Sequence, residues 1–251
     1  TLVFVTNSSL QNIPMSALYD GKQYLVEKYA IAYTPALQIL EIQPQLQRPL
    51  RALIAGVFEN SPYLDDFYYE SSYVALEIEQ ISSMIPSSVL LNQSFTRTDL
   101  EKVLNSSSFP IVHLASYGDF VDSNPNDSYI LAWDEKIKAK DFKLLLRPEK
   151  HDKFNPIELL VLSASNTAAG NEQIPFGLAG LALKSKVRSI LGSLISVEDG
   201  YTAYCMVKFY RELTQSKVTK AEALRRTQLT SVNDGRHPSE WASFILIGDW
   251  R

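Results

Sequence analysis

The sequence predicts an α/β fold: a mainly parallel β-sheet flanked by helices, with a β-rich extension at the N-terminal end. Three observations carry that expectation. Short apolar runs at 51–58, 110–116, 157–163 and 189–195 recur along the chain, each about the length of a buried strand. Longer stretches between them repeat apolar residues at helical spacing, the signature of helices covering a sheet. Hydrophobic residues make up 45% and charged residues 21% of the 251 positions, ample for a core and too apolar for a chain disordered throughout.

Taken in order, residues 1–48 read as short strands and turns. Residues 2–6 are β-rich, Asp20-Gly21 marks a turn, and 29–34 is strand-like before Pro35. A Gln/Pro stretch at 43–49 makes a junction. The expected division is therefore an N-terminal β-rich subdomain over 1–48 and a core over 49–251, in a continuous arrangement. Residues 69–85 are helical, with Val74, Ile78, Ile81 and Ile85 on one face. A short strand at 88–91 follows. Thr96 and Asp99 are spaced as a capping box, opening a helix that turns Leu100, Val103 and Leu104 to one side. Residues 110–116 are strand, 123–127 loop, and 129–137 a hairpin turning at Asp134-Glu135.

The run at 157–163 is the strongest buried-strand signal, and an apolar helix over 175–184 follows it. After the strand at 189–195, a helix over 200–213 places Ala203, Met206, Val207, Tyr210 and Leu213 at core spacing. Thr219 and Glu222 cap the next helix, and a strand at 244–247 stops at Gly248. Sheets of this kind bind ligands at the carboxyl ends of their strands, which directs attention to the loops after Ser116 and Ser163.

Several function classes are disfavoured. Lys and Arg number 24 against 28 Asp and Glu, a net charge of −4 that gives no basic face for nucleic acid. One cysteine supports neither a disulfide framework nor a cysteine metal cluster, and suits a reducing, cytoplasmic setting. No apolar run approaches the ~18–20 residues of a membrane span, so no membrane association is expected. The first residues, Thr1-Leu2-Val3-Phe4-Val5, lack a basic n-region and read as a strand of a longer chain. Gly-rich phosphate loops, dinucleotide fingerprints, paired-histidine zinc motifs and nucleophile elbows are absent, so neither metal nor cofactor is expected.

Two strand ends stand out: Ile111-Val112-His113-Leu114-Ala115-Ser116-Tyr117-Gly118-Asp119-Phe120, and Leu160-Val161-Leu162-Ser163-Ala164-Ser165-Asn166-Thr167 with Ala168-Ala169-Gly170. With these in place the sequence resembles the CHAT family, the caspase-like domain often attached to tetratricopeptide repeats, and its cyanobacterial branch most of all. The resemblance runs along the whole chain in the family's order: 10–12, 14–18, Asp20-Gly21, 53–56, the His113 segment, 129–133, 160–170, Phe209-Tyr210, 221–226, Trp241-Ala242 and 244–250. It implies a caspase-like sheet of the clan CD peptidases. It also implies, for members that are peptidases, a cysteine–histidine dyad: a histidine before glycine at one strand end, and a cysteine followed by Glu-Thr at the next. The imidazole lowers the thiol pKa and protonates the leaving amine, while backbone N–H groups of the glycine and the nucleophile hold the oxyanion.

This chain departs at both positions. Tyr117 stands where the histidine is expected, before Gly118; Ser165 stands for the cysteine and Asn166 for the glutamate after it. A phenol of ordinary pKa ~10 is a poor base at neutral pH, and a hydroxyl without a base is a weak nucleophile. His113 lies four residues back along the strand, ~13 Å from Tyr117, and reads as structural. His151 sits in a charged loop and His237 precedes Pro238. Cys205, mid-helix at core spacing, reads as a buried small residue.

The expectation is a catalytically dead pseudo-peptidase acting as a protein- or peptide-binding or scaffolding module. Its vestigial dyad is Tyr117 and Ser165, its oxyanion-type donors Gly118 and Ser165, and its candidate cleft residues Asp119, Asn166, Asp127, Glu198 and Asp199. Its implied partners are an N-terminal TPR region, an active CHAT peptidase or a retained peptide. The alternatives are an active or partner-restored peptidase, with Ser165 natural or an engineered replacement of cysteine, and a purely structural domain whose cleft Tyr117 plugs. Glu198 and Asp199 read equally as first-turn acids of a helix, and the cations at 184–188 as a helix end or an anion patch. The aromatic–acidic run at 63–70 reads as a partner edge or as packing onto the sheet.

Overall fold

A computed structural model of the chain describes residues 1–6, 10–36, 49–63, 71–119, 121, 124–146, 156–164, 177–185, 187–215 and 217–251. The junction at 43–49 therefore lies almost wholly outside the described residues, as does the aromatic–acidic run beyond Tyr63.

The strands are β1 (Leu2–Val5), β2 (Ile31–Thr34), β3 (Ala52–Gly56), β4 (Ser87–Leu91), β5 (Ile111–Ala115), β6 (Gly118–Asp119), β7 (Tyr129–Leu131), β8 (Lys136–Lys138), β9 (Leu159–Ser163), β10 (Ser189–Ser193) and β11 (Phe244–Gly248). The helices are α1 (Leu25–Lys28), α2 (Ser72–Met84), α3 (Arg97–Ser106), α4 (Ala139–Leu145), α5 (Gly177–Leu183), α6 (Asp199–Leu213), α7 (Lys220–Asn233) and α8 (Pro238–Trp241). Eight strands form one sheet in the order β1-β2-β11-β10-β9-β5-β3-β4, and β6, β7 and β8 form a small second sheet. Neighbours in the large sheet are parallel except β10 with β11. The strands of the first 48 residues occupy its edge, with Tyr33 of β2 beside Ile247 of β11.

The central strands are buried along their whole length, which explains their unbroken apolar runs: helices cover both faces. On one face α2, α6 and α7 pack over Ile54, Ile111, Val161 and Leu246. On the other, α3, α4 and α5 pack over Leu53, Val112, Leu162 and Ile247. The side-chain alternation of a strand sorts the two sets, and it turns His113 of β5 toward α2 and α6. The cap expected at Thr96 forms: its Oγ1 accepts from Asp99 N–H at 3.0 Å. So does that at Thr219, from Glu222 N–H at 3.1 Å. The hairpin turns where expected, with Leu131 opposite Lys136.

Three helices have no counterpart in the sequence expectations. α1 and α8 are single turns of four residues, and α4 has seven, too short for a periodic signal to stand out. Local caps hold the two short ones. The Glu27 carboxylate accepts from Tyr24 N–H, and His237 Nδ1 accepts from Ser239 N–H ahead of Pro238. His237 is thus a helix cap. Among the described residues no helix is long and apolar enough to cross a membrane, and no group of three His, Cys, Asp or Glu side chains is placed to hold a metal ion.

At the amino ends of the central parallel strands, Lys220 begins α7 with only 7% of its surface exposed. Its ammonium lies 3.4 Å from the Glu158 carbonyl. Burial lowers its pKa from 10.5 to about 8, against the pull of Asp249 and Glu158 and with repulsion from Arg188 and Arg251. The unfolded chain therefore holds a proton that the folded chain has lost between those two values, so this group adds stability as pH rises through that window. Lys220→Met is expected to gain on the parent near neutral pH and to lose about 2–3 kcal/mol of that advantage by about pH 10, read as urea unfolding free energies. A constant difference across the window would show that the amine is solvated.

Candidate active-site cleft

The carboxyl ends of β5 and β9 lie side by side, Ala115 in register with Ser163. Beyond β5 the chain turns through Ser116 and Tyr117 into β6. Ser116 Oγ fixes that turn by donating to the Leu131 carbonyl at 2.7 Å, and Leu131 N–H donates to the Tyr117 carbonyl at 2.8 Å. Gly118 then passes directly against the residue before Ser165. A Cβ added at Gly118 would sit 3.2 Å from Ala164 Cβ and 3.0 Å from the Tyr129 carbonyl. A side chain here would have to push these neighbours back by a few tenths of an ångström, and glycine avoids that shift.

Between these ends, α2 and the start of α6 lies a small cavity of about 30 Å³, more than the ~10–15 Å³ that a single water needs. Tyr117, Gly118, Ser163 and Ala164 line it from the strand ends, with Glu77 from α2 and Asp199 from α6. Tyr117 is partly buried against the core and faces Tyr129, ring centroids 6.3 Å apart. Burial pushes the Tyr129 hydroxyl up to about 12, helped by Tyr117 and the Asp119 carboxylate, while Lys136 Nζ lies 4.6 Å above its ring. Tyr117 is thus an aromatic group set in a tyrosine pair.

The other sequence-derived candidates are placed as follows. Asp119 pairs with Tyr129 in the β6–β7 ladder and does not line the cavity. Asp199 lines the cavity from the first turn of α6. Glu198 is the exposed N-cap of that helix, makes no side-chain cap bond and does not line the cavity. Asp127 is not brought to the cavity either. Lys138 Nζ binds it at 2.8 Å and, with Asn124, holds it below the usual carboxylate range. Of the cations at 184–188, Arg188 pairs with Glu158 at 3.2 Å rather than facing an anion site. Ser165 and Asn166, like His151, lie outside the described residues.

Sequence reasoning missed Glu77, a fully buried carboxylate that reaches the cavity floor. Its Oε1 lies 2.9 Å from Nε2 of the equally buried His113, off the line of an aligned hydrogen bond. Nδ1 of His113 lies 3.2 Å from the Tyr210 hydroxyl, whose pKa burial and Glu77 push far up. The signal was present in the sequence: Glu77 interrupts the core-facing stripe between Val74 and Ile78. His113 is therefore held inside the core between Glu77 and the Tyr210 hydroxyl. Cys205 is buried too, and burial raises its thiol to about 12, which removes it as a nucleophile.

A mostly parallel sheet between helix layers, with two adjoining strand ends facing a carboxylate-lined cavity, defines a caspase-like α/β domain. Solved structures share this fold. The separase–securin complex of Saccharomyces cerevisiae at 2.6 Å superposes with a TM-score of 0.63 at 16% identity, over 98% of this chain and 15% of that one. The complex of the pro- and mature domains of RgpB from Porphyromonas gingivalis gives 0.57 at 10% identity, over 80% of this chain and 47% of that one. RgpB is described as an Arg-specific cysteine proteinase, gingipain R. At these identities the likeness is one of fold, and the chain spans less than half the length of either neighbour. The family model of the CHAT domain matches residues 1–249, and the chain belongs to the CHAT domain family. No curated protein matches the sequence.

Proposed function

We propose that this CHAT domain is a pseudo-peptidase: a cytoplasmic protein- or peptide-binding or scaffolding module whose catalytic dyad has been replaced. The observation that carries the reading is Tyr117. It occupies the family's histidine position and is packed against Tyr129, while His113 is buried between Glu77 and Tyr210 and His237 caps a distant helix. Neither described imidazole lines the cavity, and a hydroxyl without a base does not cleave amides at useful rates.

The lining formed by the described residues encloses a small cavity. Tyr117 and Asp199, which line it, are the groups offered to a ligand, with Asp119 two residues beyond Tyr117: an aromatic face and carboxylates, suited to a basic or amphipathic peptide. The partners that suit this are a peptide, an N-terminal TPR region of the full-length protein, or an active CHAT peptidase.

The test is fluorescence anisotropy with a peptide panel spanning basic and acidic sequences. Saturable binding is expected, weakened roughly tenfold by Tyr117→Ala at a melting temperature close to the parent's. If Tyr117→Ala lowers stability by a few kcal/mol and no peptide binds, Tyr117 is a core plug and the domain is structural. A second reading, a peptidase restored by a partner, draws on the retained Gly118 in contact with Ala164. It requires amide hydrolysis that disappears in Ser165→Ala.

A further inference from the structure

A second surface stands apart from the cleft. α2 and α6 lie side by side over the sheet and bury one stripe each: Ile78 and Ile81 from α2, Met206, Phe209 and Tyr210 from α6. Their outer sides leave a groove of about 380 Å³. Its floor on α6 is made of the small positions Gly200 and Ala203, followed by Val207. Its wall on α2 is Tyr73 and Leu76, which are 48% and 45% exposed.

The contributing residues of α6 run 200, 203, 204, 207, 208, 211 and those of α2 run 73, 76, 80, the spacing of one face on each helix. Two helices that each turn a stripe to the same solvent trough form the seat of a third. The trough follows α6 for ~11 residues, about three helical turns or ~17 Å.

Charge says what fits there. The chain is net negative, at −4. Arg97, Arg188, Arg225, Arg226, Arg236 and Arg251 each face a carboxylate within 3.5 Å, and Arg51 lies over the Phe109 ring. Arg211 and Lys208, side by side at the end of the groove away from the cleft, have no carboxylate partner among the described residues. An apolar trough ending in two unpaired cations complements a segment that is apolar along one face and acidic at one end.

We propose that the α2–α6 groove docks an amphipathic helix of about three turns from a protein partner, with Asp or Glu at the end that meets Lys208 and Arg211. The same two helices carry Glu77 and Asp199 to the cleft on their other side, so a docked partner touches the elements that shape it.

The test uses the whole chain and a displayed library of helical peptides with a fixed apolar stripe and randomised polar positions. Binders are expected with Asp or Glu enriched at one end. They are expected to lose roughly tenfold or more in affinity with Leu76→Asp, to weaken with added salt, and to switch to Lys or Arg enrichment on Arg211→Glu. Leu76 and Arg211 are exposed, so both variants should keep the parent's melting temperature. Three results overturn the proposal. One is a library without saturable binders. Another is binders indifferent to both variants. The third is a chain that sediments as a dimer which Leu76→Asp separates, making the groove a face between two copies.

Discussion

A chain carrying Tyr117→His together with Ser165→Cys is expected to cleave peptides that the parent leaves intact, by at least ~10³-fold over the parent's background. The dyad needs an imidazole beside a thiol, so that the thiol ionises near neutral pH and the leaving amine receives a proton. The parent supplies neither group, but the frame around them persists. Ala115 and Ser163 are in register, and Gly118 passes close to Ala164, where an added Cβ would sit 3.2 Å from the alanine Cβ. The imidazole introduced by Tyr117→His would emerge from the turn that Ser116 pins to the Leu131 carbonyl.

Either single substitution is expected to do little, because nucleophile and base act as a unit. The measurement is release of a fluorophore from a broad peptide panel by the parent, both single variants and the double variant. Cleavage by the double variant alone would confine the loss of chemistry to two positions, and the residue before the cut would name the parent's ligand. Silence throughout would mean that the cleft has been lost along with the dyad. Cleavage by the parent would end the pseudo-peptidase reading and leave a base to be found.

The second large effect concerns the carboxylate that the sequence reading passed over. Glu77→Ala is expected to destabilise the fold by about 3–5 kcal/mol, measured by urea unfolding. The carboxylate lies 2.9 Å from His113 Nε2, and both side chains are within 1% of complete burial. The change also removes side-chain volume from a region packed by Val74, Ile78 and Ile81.

Glu77→Gln, which keeps the volume and an acceptor oxygen, should cost markedly less. Replacing Glu77 and His113 together by Leu should recover much of the loss, since a buried polar pair can be exchanged for apolar groups where half of it cannot stand alone. Additive costs in that double-mutant cycle would show that the two side chains are not coupled. A cost for Glu77→Ala below about 1 kcal/mol would place the carboxylate in the solvent of the cleft.

The strands and principal helices were legible because each carries a periodic signal that burial enforces. The runs at 51–58, 110–116, 157–163 and 189–195 are apolar throughout, as strands covered on both faces must be. α2 and α6 show their buried stripes, and Thr96 and Thr219 announce the helix starts they cap. The family likeness was legible for a similar reason, since turn residues and strand ends keep their order along the chain. The proposed replacement of the dyad at 117 and 165 rests on residue identity, which the sequence prints directly.

Sequence by itself thus determined the α/β class, the family and most element positions. Only the tertiary structure decided three other things. It set the strand order, with β11, β2 and β1 running opposite to the other five strands, because sheet pairing depends on which edges meet across tens to hundreds of residues. It joined Glu77, His113 and Tyr210 into one buried group, though the first and last are far apart in the chain. And it separated Asp127 from the cleft by giving it Lys138, while bringing Asp199 to it, since a carboxylate's role is fixed by whichever charge or cavity the fold sets beside it.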